Sequence, residues 1–114
     1  MVRLVKRRYL LFQIYPASNR FRGGDTYRAI QNSILTLFGA YGLSLANPSL
    51  RVYEEGRCVG ILRCSHKYVD MVKAAFVYIR EIDGRPASFR VIRTSGTIKS
   101  LMAEVKCQNR KVTG

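Results

Sequence analysis

The sequence predicts an α+β fold built on an antiparallel sheet, and two observations support this prediction. Short segments of alternating or continuous apolar residues, which are typical of strands, are interspersed with longer segments whose apolar residues recur at helical spacing. The chain has 114 residues, of which 47% are apolar. A chain of this length builds one hydrophobic core and is too short for two, so we expect a single domain over residues 1–114.

The first half of the chain predicts one strand and one helix. Apolar residues occupy both faces of the strand Arg8–Tyr15, so we expect other parts of the protein to cover both. The segment Pro16–Gly24 has the composition of a loop. Asp25 then caps a helix that runs to about Tyr41 and ends at Gly42. The apolar stripe of this helix consists of Tyr27, Ile30, Ile34, Leu37, Phe38 and Tyr41.

The second half predicts a strand hairpin, a helix, a last strand and a final helix. Ser65 caps the first of these helices, and Asp83, Gly84 and Pro86 end it. The resulting βαββαβ order, with helices on one face of the sheet and an additional C-terminal helix, is the ferredoxin-like or RRM-like arrangement of many RNA-binding domains. The predicted bounds are Leu50–Tyr53, Cys58–Cys64, His66–Ile82, Ser88–Thr94 and Thr97–Cys107.

The charge is strongly basic and unevenly distributed. Twenty lysines and arginines against seven acidic residues give a net charge of +13, while residues 29–50 carry no charge at all. Such an excess favours a polyanionic partner, with nucleic acid first and an acidic membrane surface second. The uncharged stretch contains too many polar residues to span a membrane, and the N-terminal apolar stretch is too short for a secretory signal. We therefore expect no membrane association.

The run V-I-R-T-S-G-T-I-K, Val91–Lys99, joins the last strand to the final helix. The first N–H groups of a helix have no intrahelical partner and carry partial positive charge, and Gly96 lets a ligand approach the backbone. The hydroxyls of Ser95 and Thr97 and the charges of Arg93 and Lys99 would complete a phosphate site. An ordinary helix cap flanked by surface charges is the alternative, and the residues leave both open.

Other basic residues cluster at the ends of predicted elements, where phosphates are most easily held. Residues 1–7 form a basic arm that can reach into a crevice of folded RNA, although a solubilising tail is the alternative. Residues 108–114 form a C-terminal tail. The full set of expected RNA-binding residues is Arg3, Lys6, Arg7, Arg8, Arg20, Arg22, Arg63, Lys67, Arg93, Ser95, Gly96, Thr97 and Lys99.

The uncharged helix predicts a protein interface. Its apolar stripe should pack on the sheet, and its other face lacks the lysine or arginine expected of an RNA-facing helix. We therefore expect a protein partner to cover that face, at Gln31, Asn32, Thr36 and Ala40.

Neither base stacking nor protein catalysis finds support. The strand Cys58–Cys64 has no aromatic ring on which a base could stack. The only histidine, His66, falls at a helix start, where it should be solvated, and the close carboxylate pairs fall where turns need polar residues. The three cysteines match no zinc or redox spacing and should be buried thiols in a reducing compartment. We expect no catalytic residue, no metal site and no cofactor in this chain.

Four short motifs resemble the Pop-five protein subunit of ribonuclease P. They are R-Y-L-L-F at Arg8–Phe12, G-A-Y-G at Gly39–Gly42, G-I-L-R-C at Gly60–Cys64 and S-G-T-I-K at Ser95–Lys99. The match runs in order from about Val2 to about Lys106, and the last motif is the most specific.

The resemblance implies a non-catalytic, RNA-binding subunit. In this family a catalytic RNA with bound Mg²⁺ removes the 5′ leader from precursor tRNA, and the subunit pairs with a TIM-barrel protein of the Rpp-thirty family, alongside other ribonuclease P proteins. The chain starts as eukaryotic members do and ends as archaeal members do, so a cytoplasmic location is expected if it is archaeal and a nuclear or nucleolar one if eukaryotic. The alternatives are a subunit of ribonuclease MRP, a ribosomal protein or single-strand RNA binder, and a metal-dependent nuclease acting alone.

Overall fold

The fold is an antiparallel four-stranded sheet with helices on both faces. The computed structural model describes residues 6–16, 20–103 and 105. The strands follow the order β2-β3-β1-β6, which is the ferredoxin-like order predicted from the sequence. The elements are β1 (Arg7–Tyr15), α1 (Gly23–Ala46), β2 (Ser49–Glu54), β3 (Val59–Ser65), α2 (Val69–Tyr78), β4 (Glu81–Ile82), β5 (Arg85–Pro86), β6 (Ser88–Ser95) and α3 (98–105, with residue 104 not described).

The main core lies between one face of the sheet and the helices α1 and α2. Three aromatic rings fill its centre: the ring centroid of Phe76 on α2 lies 5.3 Å from that of Phe12 on β1 and 5.3 Å from that of Phe89 on β6. The two helices are joined by the buried hydroxyl of Ser33, which donates a hydrogen bond to the carbonyl oxygen of Ala75 at 2.7 Å. Burying three rings and a satisfied hydroxyl fixes both helices on the sheet.

The opposite face of the sheet is covered by α3. Leu101 and Val105 of α3 pack on Leu11, Val59 and Ile61, and all five side chains are buried. This arrangement explains why β1 is apolar on both faces, as the sequence predicted. As predicted, α1 and α2 share one face of the sheet, and the additional C-terminal helix α3 lies on the other face, a position that the sequence prediction did not specify.

Helix α1 differs from the prediction at both ends. Its N-cap is Arg22, which makes no side-chain capping bond, and Asp25 lies inside the first turn. Gly42 does not end the helix, which continues to a left-handed Asn47. Gly42 lies inside the helix, and a glycine is needed there because a Cβ would lie 2.5 Å from the Cβ of Phe38. The backbone breaks instead at Gly39, where φ is 76° and ψ is 178°.

The second half of the predicted apolar stripe is not buried. Ile30 and Ile34 are fully buried, but Leu37 and Phe38 are each 39% exposed and Tyr41 is 78% exposed. The stripe therefore packs on the core over its first half only.

The second helix is shorter than predicted at both ends. His66–Tyr68 form a single 3-10 turn, and α2 ends at Tyr78 rather than at Ile82. The residues beyond it form a small hairpin, β4 and β5, whose turn residues Asp83 and Gly84 have φ of 53° and 78°. Positive φ at both positions suits the two-residue hairpin turn for which Asp-Gly is a strong signal, so the pair builds a hairpin and does not end the helix as predicted.

Strand β1 begins one residue earlier than predicted, at Arg7. Arg7 therefore lies in the sheet and not in the proposed arm, and the carbonyl oxygen of Lys6 accepts a hydrogen bond from the N–H of His66 at 3.0 Å. Residues 1–5 and 108–114, which include Arg3, lie outside the described part. Among the helices that are described, none is both long and apolar enough to cross a membrane.

Candidate nucleic-acid interface

The strand pairing places the start of β1 beside the ends of β3 and β6. Arg7 pairs with Ser65 and Tyr9 with Arg63 on one side, and Tyr9 pairs with Ser95 on the other. Because both neighbours run antiparallel to β1, residues that are far apart in the sequence meet at one end of the sheet.

Most of the predicted RNA-binding residues lie at this end. Lys6, Arg7, Lys67, Arg93 and Lys99 are exposed, while Arg8 and Arg63 are half-buried. Arg93 also makes an interaction within the chain, so it is not a free cation. The cations of this surface, called the basic end below, are Lys6, Arg7, Arg8, Arg63, Lys67, Arg93 and Lys99.

The joint between β6 and α3 lies within the basic end. The N–H of Thr97 donates a hydrogen bond to the Ser95 Oγ at 3.2 Å, so this hydroxyl already serves the chain's own backbone. Gly96 is exposed, and a Cβ built on it would lie 3.9 Å from the Arg8 Nη1. The Arg8 guanidinium is therefore next to the glycine, where a ligand at the joint would reach both the backbone and a full charge.

Arg20 and Arg22 lie elsewhere. They belong to the loop that follows β1 and leads into α1, so they are at the opposite end of the sheet, called the far end below. β1 has nine residues, a length of about 30 Å, and the two groups therefore cannot hold the same phosphate.

Acidic residues are concentrated at the far end. Five of the seven in the sequence lie there: Asp25, Glu54, Glu55, Glu81 and Asp83. Asp70, in the first turn of α2, is the acidic residue that the described elements bring toward the basic end. The positive potential is therefore strongest at the start of β1 and weakest at the far end.

The predicted protein-interface residues lie along α1. Asn32, Thr36 and Ala40 are exposed and Gln31 is half-buried. Asn32 and Thr36 line a groove of about 960 Å³ between α1, α2 and the β4–β5 hairpin. Nothing in the linear sequence indicated this groove, because the hairpin that forms one wall was not predicted.

One further arginine escaped the sequence reasoning. Arg57 at the β2–β3 turn donates from Nη2 to the Glu54 Oε2 at 2.5 Å and from Nη1 to the carbonyl oxygen of Val105 at 3.4 Å. It ties the hairpin to α3, so its role is structural. Glu54 is three residues from Arg57 in the same hairpin, whereas the carbonyl oxygen of Val105 reaches Arg57 only because α3 lies across the sheet.

The groups that could carry catalysis are dispersed. His66 is exposed, and the described residues contain no group of three or more histidine, cysteine or acidic side chains able to hold a metal ion. Cys58 and Cys64 are buried thiols that form no disulfide, as predicted, and Cys107 lies outside the described residues. Burial raises the pKa of the Cys64 thiol to about 11, which keeps it protonated and unreactive at neutral pH.

Fold and charge together define a class of protein. α3 covers the sheet face on which RNA-recognition domains stack bases, so the described surface cannot bind RNA in that manner. What it offers is a cluster of cations at one end of a rigid sheet, which is the electrostatic pattern of a domain that binds a folded polyanion by its phosphates.

Comparison with known proteins agrees with this class. The chain belongs to the Rpp14/Pop5 family, whose model matches residues 8–106. It is 38% identical to ribonuclease P protein component 2 of Methanocorpusculum labreanum over 87% of this chain, although it spans only 65% of the length of that relative. It is 36% identical to the ribonuclease P/MRP protein subunit POP5 of Schizosaccharomyces pombe, covering 87% of this chain and 81% of the relative.

A solved structure shares the fold. A chain in the cryo-EM structure of yeast ribonuclease MRP matches with a TM-score of 0.65 over 96% of this chain and 98% of that chain, at 11% identity. The similarity at this identity concerns the fold alone. The family and its named relatives support a role as a protein subunit of an RNA-processing ribonucleoprotein.

Proposed function

We propose that this chain is an RNA-binding subunit of ribonuclease P that supports the catalytic RNA in removing the 5′ leader from precursor tRNA. The observation that carries the proposal is the basic end: seven cations from β1, β3, β6, their adjoining segments and the start of α3 meet at one end of a fold that belongs to the Rpp14/Pop5 family. Their charges neutralise phosphates of the RNA and hold it in one orientation, while the joint at Gly96 admits a phosphate to the start of α3.

In this proposal the chain itself does no chemistry. The RNA and its Mg²⁺ ions cleave the substrate, and the protein contributes positioning and charge neutralisation. The uncharged face of α1 binds a protein, for which the TIM-barrel subunit of the Rpp-thirty family is our candidate. The chain would act in the cytoplasm of an archaeon or in the nucleus of a eukaryote.

Reconstitution tests the proposal directly. Ribonuclease P RNA and the protein subunits of the source organism are assembled with and without this chain, and release of the 5′ leader is measured. We expect cleavage to depend on the chain, and the isolated chain with Mg²⁺ to cleave nothing. Unchanged cleavage without the chain, or RNA cleavage by the purified chain, would contradict the assignment.

Gly96→Val tests the joint without altering charge. A side chain at position 96 has room, since the nearest other group is the Arg8 guanidinium at 3.9 Å, so the variant should fold normally. It adds bulk where a phosphate would approach and should weaken RNA binding. An unaltered affinity would show that the joint is only a helix cap, and loss of Ser95 would then cost about 1 kcal/mol of stability and nothing else.

Ribonuclease MRP is the second candidate assembly, because the name of the fission yeast relative covers both enzymes. The two are separated by sequencing the RNA that copurifies with the tagged chain.

A further inference from the structure

We propose that the groove between α1, α2 and the β4–β5 hairpin binds a segment of a protein partner in which a large apolar side chain is flanked by lysine or arginine. This inference rests on the proposed function, in which the chain works inside an assembly with other proteins. It extends the protein-binding surface proposed for α1, whose Asn32 and Thr36 line the groove, and specifies what that surface recognises.

The walls of the groove carry apolar side chains that the chain itself leaves uncovered. Leu37 of α1 and Val77 and Tyr78 of α2 line it, with exposed fractions of 39%, 79% and 52%. Single exposed apolar residues are normal on a protein surface, but three that share one concavity are typical of a protein contact. Asn32 and Thr36 add hydrogen-bonding groups to the same wall.

The charge of the groove is opposite to that of the rest of the molecule. Asp25, Glu81 and Asp83 line it, against Arg28 and Arg80, so its five charged side chains sum to −1 in a chain of net charge +13. The ion pair between Arg57 and Glu54 lies outside the groove. Carboxylates beside an apolar wall repel phosphate and attract a cationic segment.

A second copy of this chain fits the groove poorly. Two chains of charge +13 repel each other, and a contact between the groove of one copy and the basic end of another would be heterologous and would not close into a dimer. It would also occupy the surface that we assign to RNA. A different protein of the assembly is therefore the occupant to which we commit.

Site-specific crosslinking in the reconstituted assembly tests this inference. A photoreactive p-benzoylphenylalanine replaces Val77 inside the groove or, as the matched control, Tyr41, which is equally exposed but does not line it. We expect the probe at position 77 to crosslink to another protein subunit, at an apolar residue within a few positions of a lysine or arginine. The probe at position 41 should not reach that segment.

Crosslinks from position 77 to RNA, to a second copy of this chain or to nothing would each overturn the inference. Leader removal is measured in the same samples. Cleavage that does not require this chain would refute the proposed function, whereas the crosslink alone decides the groove.

A charge-neutralising pair provides the second measurement. Glu81→Gln with Asp83→Asn should weaken association with the crosslinked subunit by about threefold or more and reduce its dependence on salt. Asn is chosen because it tolerates the positive φ at position 83. The control, Glu55→Gln with Asp70→Asn, changes the net charge equally at exposed sites outside the groove and should leave association unchanged. If the two double substitutions weakened association equally, the change in net charge alone would explain the result, and the inference would be overturned.

Discussion

At the scale of single residues, Gly60 shows why a short apolar motif requires its glycine. A Cβ at this position would lie 2.8 Å from the ring of Phe12, 2.9 Å from the carbonyl oxygen of Val52 and 3.0 Å from the ring of Tyr53. Because Gly60 has no side chain, β3 can pair with β1 and β2 while the rings of Phe12 and Tyr53 lie close to its backbone. This glycine is part of the G-I-L-R-C segment by which the sequence resembles its family.

Gly60→Ala should therefore destabilise the fold by about 1–3 kcal/mol, because the added methyl group overpacks the core. Gly24→Ala is the matched control, since a Cβ there meets nothing within 4 Å. Urea denaturation of both variants measures the free energies of unfolding. A Gly60 variant as stable as the Gly24 variant would show that the sheet relaxes around the methyl group.

Cys64 gives a prediction about pH. Burial raises the pKa of its thiol from about 9 to about 11, so the folded state resists an ionisation that the unfolded state allows. The resulting contribution to stability is complete below about pH 9 and is lost as the pH rises toward 11. Burial raises the pKa of Tyr53 as well, which continues the loss at still higher pH.

The measurement is the free energy of unfolding of the wild type and of Cys64→Ala from neutral pH to about pH 11. The variant is expected to start lower, because it loses a buried side chain, but to fall less steeply above pH 9. If the free energies of unfolding of the two proteins fell in parallel above pH 9, the raised pKa of the Cys64 thiol would not be the cause of the loss.

At the scale of elements, α1 is interrupted by a break in its backbone at one glycine. Gly39 adopts φ of 76° and ψ of 178°, a region that side-chain-bearing residues rarely enter. The break does not by itself sort the apolar side chains, since Phe38 before it is 39% exposed and Ala46 after it is fully buried. The G-A-Y-G segment thus contains two glycines with different physical roles, a backbone break at Gly39 and close packing at Gly42.

Gly39→Ala should cost about 1–3 kcal/mol of stability if the break is kept, because alanine is strained in that conformation. A steric clash does not contribute to this loss of stability, since a Cβ at position 39 meets nothing within 4 Å. Thermal unfolding checks the cost, and circular dichroism checks whether the helix straightens instead. An equally stable variant with unchanged helix content would contradict the prediction.

At the scale of the whole molecule, the separation of charge between the two ends of the sheet predicts an orientation on RNA. Cations meet at the start of β1, whereas most carboxylates lie at the far end with Arg20 and Arg22. Long-range attraction therefore turns the basic end toward the polyanion, and leaves the far end and its acidic groove for protein.

Two double variants of equal charge compare the ends. Arg7→Ala with Lys99→Ala should lower the slope of log K against log salt by about 1.4 to 1.8, the value for two lost phosphate contacts. Arg20→Ala with Arg22→Ala should lower this slope by a smaller amount. All four side chains are exposed, so both variants should fold. Equal slopes in the two variants would mean that net charge, and not the basic end, governs binding.

The sequence predicted the order of elements because each one repeats a local pattern. Period-two strands, helical stripes and turn residues report their own conformation, and the basic and uncharged segments were readable in the same way. Prediction from the sequence failed where the role of a residue depended on contacts between elements. Gly42 looked like a helix end, yet its role is set by Phe38 and Met71, which a Cβ there would touch.

By itself, therefore, the sequence determined the ferredoxin-like element order, the family and the excess of cations. Tertiary structure alone decided that α3 closes the second face of the sheet and that the cations of β1, β3 and β6 meet at one end. It also decided that Arg20 and Arg22 lie apart from them and that a hairpin completes an acidic, apolar groove. The physical reason is that periodicity and composition are local properties, whereas a site is made by antiparallel pairing and packing between residues distant in the chain.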